Sequence, residues 1–273
     1  MRISISLLRR LIQHADATSR YNVYFGKGRD AYDVRGRVVH ESIFNVKDGS
    51  YRCPSSQQGY SPFTTWTRGL AWVLCGFPEE LEFLSGCPES DFNGKGEKSR
   101  VMDLFLETAR AAADFYIQNT PTDGIPYWDT GAPGLVRLGN YLERVADPFN
   151  DCEPVDSSAA AIAAQGFLRL GRYLKASGDR EGGRGYFQAG LTIARTLFSE
   201  PYLSTRADHQ GLILHSVYHR PNGWDYVPTG KHSPSGESSM WGDYHARELA
   251  LLIKRMATSG PDYVFFIPWE KKS

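Results

Sequence analysis

The feature that most constrains this chain is an alternation. Stretches with apolar residues at helical spacing are separated repeatedly by long polar loops rich in Trp, Tyr, His and Asp. Residues 3–17 place Ile5, Leu8, Leu11 and Ile12 on one face and arginines on the other, which predicts an amphipathic outer helix. Residues 64–76 form a compact apolar segment opened by threonines and closed by Gly76, which predicts a buried helix with one embedded arginine, Arg68. Residues 101–117 predict a further helix ended by Asn119 and Pro121. Asp156-Ser157-Ser158 then precedes a run of small residues over 159–164, an N-cap followed by a helix that can pack closely and that runs to about Leu174. Residues 185–198 are its expected partner, and residues 237–256 close the pattern with one more helix. Between the first two helices, residues 19–60 carry scattered glycines and a short alternating run over 37–44, which predicts turns and a hairpin. Helix, long loop, helix at repeats of roughly 40 to 60 residues fits an all-α solenoid closed into a toroid better than it fits a sheet. Residues 1–257 read as one such domain and residues 258–273 as a C-terminal extension.

Composition narrows the function classes. With 273 residues and 41% hydrophobic content, the chain can bury a sizeable core. Thirty-one basic residues balance thirty-one acidic ones, so no overall field draws it to nucleic acid or to an anionic membrane surface, and any anion recognition must be local. The four cysteines show neither a tight pair nor metal-finger spacing, which predicts free thiols in a reducing compartment. Residues 1–13 are interrupted by Arg2, Arg9 and Arg10 and read as neither leader nor membrane span, so a cytoplasmic location is expected. His209, His215 and His219 lack the spacing and carboxylate partners of a metal site, so neither metal nor cofactor is expected. Six tryptophans and fifteen tyrosines are generous for a helical protein; they suit a sugar-binding cleft, although core filling is the plainer use of such rings.

Some residues carry chemistry on their own account. An arginine inside an apolar helix must find an anion, so Arg68 needs either an internal ion pair or a ligand carboxylate. Trp72, four residues later, shares its helical face and suits either sugar stacking or core packing. Gln58 can donate and accept hydrogen bonds, while His40, with an ordinary pKa near neutrality, is suited to polarising or positioning water. Trp241 and Tyr244 sit on the last predicted helix, where a tyrosine hydroxyl can reach a substrate oxygen or both rings can fill core. Asp156 reads as an N-cap and Asp243 as structural. Lys231, Ser233, Ser235 and Ser238 form a polar cluster before that helix, suited to a sulfate or a sugar hydroxyl, and equally to plain loop polarity.

The run Gln58-Gly59-Tyr60-Ser61, followed by Thr65-Trp66-Thr67-Arg68-Gly69-Leu70-Ala71-Trp72, resembles the central signature of the unsaturated glucuronyl hydrolases. Asp156-Ser157-Ser158-Ala159-Ala160-Ala161 resembles that family's next inner helix, and Ser238-Ser239-Met240-Trp241-Gly242-Asp243-Tyr244 its last. Tyr127-Trp128-Asp129 and Gly211-Leu212-Ile213-Leu214-His215-Ser216 fit between them in order. The resemblance implies an (α/α)6 barrel of the six-hairpin glycosidase type, incomplete in this chain. It implies a hydrolase that removes a 4,5-unsaturated uronate from lyase-generated oligosaccharides by hydrating the vinyl ether, without a cofactor. It places Gln58, Arg68, Trp72, Trp241 and Tyr244 among substrate-binding residues and His40 as a candidate auxiliary to catalysis. The family's two catalytic aspartates fall upstream of Met1 in this comparison, because residues 1–17 match a helix beyond the second of them, so no catalytic acid is assigned. Inner faces left uncovered by an incomplete barrel predict self-association or a missing N-terminal segment. Two other readings stand beside the enzyme: a degenerate carbohydrate-binding relative, and a hydrolase of unsaturated rhamnogalacturonyl groups, which the 58–72 run favours less.

Overall fold

The computed structural model describes residues 6–260. In chain order its elements are α1 (Leu7–Asn22), β1 (Glu41–Phe44), β2 (Tyr51–Ser55), α2 (Thr67–Gly86), α3 (Glu97–Gln118), α4 (Ser157–Ala176), α5 (Arg180–Leu197) and α6 (Met240–Ala257). α2 and α6 pack on either side of α4; α3 backs α2, α5 backs α4, and α1 lies against α3. The fold is all-α, as expected, with a three-helix inner layer and outer helices behind it. A closed ring of six helical hairpins uses about twice the number of helices described here. Among the described residues no helix is long and apolar enough to cross a membrane.

The small-residue run after Asp156 becomes the centre of the molecule. Every residue from Ser157 to Gly171 is buried, because α4 is covered by helices on several sides. Side chains larger than a methyl group would hold those neighbours apart. A Cβ on Gly166 would lie 2.2 Å from the carbonyl oxygen of Leu74, so glycine there sets the approach of α2 to α4. Gly171 and Gly183 meet in the same way, and a Cβ on either would run into the other's carbonyl oxygen at 2.7 or 2.5 Å.

Several boundaries differ from expectation, three of them for a local reason. α2 does not stop at Gly76 but runs ten residues further, through Pro78. Pro78 has no N–H to give Leu74, yet the carbonyl of Leu74 is the one pressed against Gly166, and the buried run Phe77, Leu81 and Leu84 keeps the helix on the core. α5 begins five residues before Gly185 because Asp179 caps it, its carboxylate accepting from the N–H of Gly182 at 3.0 Å. α3 starts one turn earlier than expected, with Glu97 in its first turn, where a carboxylate complements the helix dipole. α1 runs to Asn22, beyond the expected end; the part of its expected start within residues 1–5, and the extension from residue 261 onward, lie outside the described residues.

The expected hairpin is present, antiparallel, with Glu41 opposite Ser55 and Ile43 opposite Cys53. Tyr21 of α1 holds it by packing edge-on to Phe44 at 4.8 Å and stacked on Tyr51 at 5.6 Å. His40 enters this hairpin and Gln58 leaves it, so two residues eighteen positions apart are delivered to one place.

Deeper along the inner layer, buried Arg169 of α4 pairs with Glu79, 3.5 Å away, and with Glu82, both on α2. Glu80, on the adjacent face of α2, lines a small cleft with Trp72, His14 and Thr18. Burial pushes the Glu80 carboxyl up to about 7, and the neighbouring charge of Glu79 adds to the effect. A folded-state pKa above the unfolded value of 4.5 means that this group favours the fold below about that pH, and that the benefit is lost as pH rises through about 7. Glu80→Gln removes the charge that has to be buried at high pH. Thermal melts are expected to show a larger gain in Tm for the variant at pH 8 than at pH 5; an equal gain at both would mean that the carboxyl titrates as if in water.

Candidate functional site

The N-terminal ends of α2, α4 and α6 meet at one end of the inner layer, and Arg68 stands where they meet. It lies in the first turn of α2 and is 3% exposed. Its Nη1 donates to Asp156 Oδ2 at 2.9 Å, to Ser158 Oγ at 3.2 Å and to the carbonyl of Val217. Its Nη2 donates to Gln58 Oε1 at 3.2 Å and to the carbonyl of Tyr218 at 2.9 Å. The plane of the guanidinium is flanked by two indoles, Trp66 at 4.8 Å and Trp241 at 4.9 Å. The charge of Arg68 is therefore answered inside the protein, by Asp156. Of the two partners open to a buried arginine, an internal carboxylate and a ligand's, the fold supplies the first in Asp156.

Asp156 performs two tasks with its two oxygens. Oδ1 caps α4, accepting from the N–H groups of Ser158 and Ala159 at 3.1 and 3.3 Å, and also takes the Ser158 hydroxyl at 2.5 Å. Oδ2 is left for Arg68. The pair thus ties α2 to α4, while the carbonyls of Val217 and Tyr218 bring in the loop before α6.

His40 and Gln58 join the same group. The Nδ1 of His40 accepts from the N–H groups of Gln57 and Gln58 at 3.1 and 3.2 Å, and its ring lies tilted over Trp66, with centroids 4.7 Å apart. Burial lowers its pKa; the charge of Glu41 opposes this, while Arg68 and His219 reinforce it. Two backbone N–H groups aimed at Nδ1 call for a lone pair there, so His40 organises the 57–58 turn through Nδ1 and leaves Nε2 as its N–H.

Trp241 has a foot in two places. Its Nε1 donates to Ser158 Oγ at 3.1 Å and one face covers Arg68, while Tyr218 stacks on it at 5.4 Å. Beyond that stack opens a cleft of about 690 Å³ whose walls include Tyr218, Trp224, Tyr226, Glu237 and Trp241. The loop that builds the far wall is ordered by Asp225, whose carboxylate accepts from the N–H groups of Tyr218 and His219, and Trp224 stacks on Tyr218 at 5.7 Å. Asp243 holds the neighbouring segment by accepting from Leu212 and Ile213 N–H at 2.9 and 3.0 Å, a structural role as expected.

Trp72 and Tyr244 form a second group. Trp72 is 42% exposed and Tyr244 53%, so neither is a core aromatic. They are joined through His245, which packs edge-on to each with centroids 5.1 Å away. The hydroxyl of Tyr244 donates to Glu248 Oε1 at 2.6 Å within its own helix, which occupies the group expected to reach a substrate oxygen. Burial lowers the pKa of His245 to about 4, so the ring joining the two is neutral.

Asp225, Trp224, Tyr226 and Glu237 escaped the sequence reading. The only signal for them was the aromatic character of the loop before α6, because no spacing rule joins a loop residue to a cleft that a distant helix completes.

No family model matches the chain. An unsaturated glucuronyl hydrolase of Formosa agariphila is 26% identical over 239 residues, covering 87% of this chain and 46% of the relative. An unsaturated glucuronyl hydrolase of Bacillus sp. (strain GL1) is 29% identical over 227 residues, covering 82% of this chain and 49% of the relative. The crystal structure of the unsaturated glucuronyl hydrolase from Bacillus sp. GL1, responsible for the degradation of glycosaminoglycan, superimposes with a TM-score of 0.62 at 26% identity over 89% of this chain and 51% of that one. The chain spans about half the length of the curated relatives it matches. Over that half it is similar to them in sequence and shares their helical toroid fold.

Removing the guanidinium would strand a fully buried carboxylate. Arg68→Met is expected to lower unfolding free energy by about 3–5 kcal/mol in urea titrations, the range for breaking one side of a buried pair. A loss below about 1 kcal/mol would show that Asp156 is compensated by something else.

Proposed function

We propose that this chain carries the sugar-recognising part of a glycoside hydrolase of the unsaturated glucuronyl hydrolase type, acting on oligosaccharides that end in a 4,5-unsaturated uronate. The observation that carries this reading is that His40, Gln58, Arg68 and Trp241 meet in one bonded and stacked group beside an aromatic cleft. The similarity to unsaturated glucuronyl hydrolases over most of the chain supports the substrate class. The free thiols of Cys53, Cys75, Cys87 and Cys152 support a cytoplasmic setting.

In this reading the reaction is hydration of a vinyl ether. A proton goes to C4, positive charge develops at C5 and the ring oxygen, water adds at C5 and loses its proton, and the resulting hemiketal opens to release the neighbouring sugar. The spacing rule for paired carboxylates in ordinary glycosidases does not bear on such a step. The residues described here supply recognition. Trp241 offers a ring face, Gln58 is held by Arg68 at the edge of the group, and neutral His40 presents Nε2–H as a donor to an oxygen of the substrate or of water. Arg68 acts as a positioning residue, lying over the rings of Trp66 and Trp241 and holding the 217–218 carbonyls by its N–H groups. Trp72 and Tyr244 offer a second ring pair for a sugar placed further along the inner layer.

Loss of the ultraviolet absorbance of the conjugated alkene tests the proposal. Lyase-generated unsaturated disaccharide is expected to lose absorbance in the presence of the complete enzyme that contains this chain, and Trp241→Ala there is expected to reduce kcat/KM by about tenfold or more. Calorimetric binding without any absorbance change would favour the carbohydrate-binding reading. A flat trace and no heat of binding from well-folded protein would contradict both.

A further inference from the structure

A second cleft, of about 730 Å³, opens at the other end of the inner layer, where α4 and α6 finish and α5 begins. Measured along α4 from Ser158 to Lys175, it lies roughly 25 Å from the mouth, at about 1.5 Å per helical residue. Buried Gly171 and Gly183 form its floor with half-buried Phe187 and Met256. Five cations stand around it, Arg172, Lys175, Arg180, Arg184 and Arg255, and none of the described residues that line it is acidic. The acids of the α4–α5 turn are not among its walls: Asp179 caps α5 and pairs with Arg110, and Glu181 does not line the cleft. In a chain whose acidic and basic residues balance, this is a local concentration of one sign.

Helix stability accounts for part of that concentration. Lys175 and Arg255 lie in the last turns of α4 and α6, where a cation complements the helix dipole, and Arg172 and Arg255 also have contacts of their own. It does not account for the arginines of α5. Arg180 is the first residue of that helix, at the end where the dipole favours acids, and Arg184 stands one turn behind it. Both are exposed, as is Lys175, and the dipole of α5 adds to their positive potential. A guanidinium presents a planar fork of donors that matches two oxygens of a phosphate or sulfate, while the ring of Phe187 and the thioether of Met256 offer an apolar surface. A concavity of this volume suits a small molecule. We propose that the cleft is a binding site, separate from the mouth, for a small ring compound carrying two or more phosphate or sulfate groups. Arg180, Arg184 and Lys175 hold its oxyanions, and its ring rests on Phe187. The site is independent of the function proposed above.

The experiment is titration calorimetry of the whole protein in magnesium-free buffer with three probes: ADP, a saturated disaccharide carrying two sulfates, and inorganic pyrophosphate. At least one of the two ring probes is expected to bind about tenfold more tightly than pyrophosphate. The double variant Arg180→Ser/Arg184→Ser is expected to weaken that probe by about tenfold or more. Arg137→Ser/Arg195→Ser, which removes two exposed arginines outside the cleft, is expected to leave its affinity within about twofold. Because Arg180 opposes the helix dipole and both substituted side chains of the cleft are exposed, thermal melts are expected to show the first variant folded. Whichever ring probe binds more tightly identifies the source of the oxyanion, phosphate or sulfate ester. Binding that survives Arg180→Ser/Arg184→Ser, or a ring probe that binds no better than pyrophosphate, overturns the proposal. So does the absence of binding by either ring probe, the result expected if the chain that continues from Gly260, itself a lining residue, takes up the cleft. None of these results bears on the proposed function, whose test reads the conjugated alkene.

Discussion

A buried guanidinium cannot be left unpaired, and the mouth of this molecule is arranged around that requirement. Arg68 brings several N–H donors into a site closed to water, and the chain answers with one carboxylate, one hydroxyl, one amide oxygen and two backbone carbonyls drawn from three separate segments. Because the acceptors come from three segments, the 57–58 turn, the start of α4 and the loop before α6, satisfying one side chain fixes their positions relative to α2. The two flanking indoles extend that order outward, and Trp241 passes it to Tyr218 and the cleft. The shape of the cleft thus depends on a charge that does not line it.

The helices make this convergence possible. Close approach of α2 to α4 at Gly166 brings the beginning of one helix beside the beginning of the other, and the Asp156 cap then lies within reach of Arg68. Further along the same layer, Arg169 with Glu79 and Glu82 repeats the device of an arginine on one helix bridged to carboxylates on the next. The long loops carry the variable chemistry, and carboxylates hold them by accepting backbone N–H groups, Asp129 and Asp225 from within the loops and Asp243 from the first turn of α6.

Much of this was legible in the sequence, and the limits are physical. Helix existence followed from apolar spacing, and the Asp156 cap followed from its residue type, because both are local properties. Gly76 misled because a glycine's preference for ending a helix was outweighed by the buried face that continues beyond it. The anion for Arg68 could be demanded from the sequence but not identified, since Asp156 is 88 residues away and reading it as a cap leaves its second oxygen unaccounted for. Trp72 and Tyr244 were rightly placed on inner helices, yet one helical turn along the axis carries Trp72 into a different group, and the Tyr244 hydroxyl finds Glu248 on its own helix. Cleft residues such as Trp224 and Glu237 are joined only by tertiary structure and had no pattern to reveal them.

The central claim is that Arg68 and Asp156 stabilise the mouth through each other. A double-mutant cycle built from Arg68→Met, Asp156→Asn and the combined variant measures that dependence in unfolding free energy. The account predicts a coupling of about 2 kcal/mol or more, with the double variant more stable than the sum of the single losses implies. Losses that simply add, leaving a coupling near zero, would contradict it.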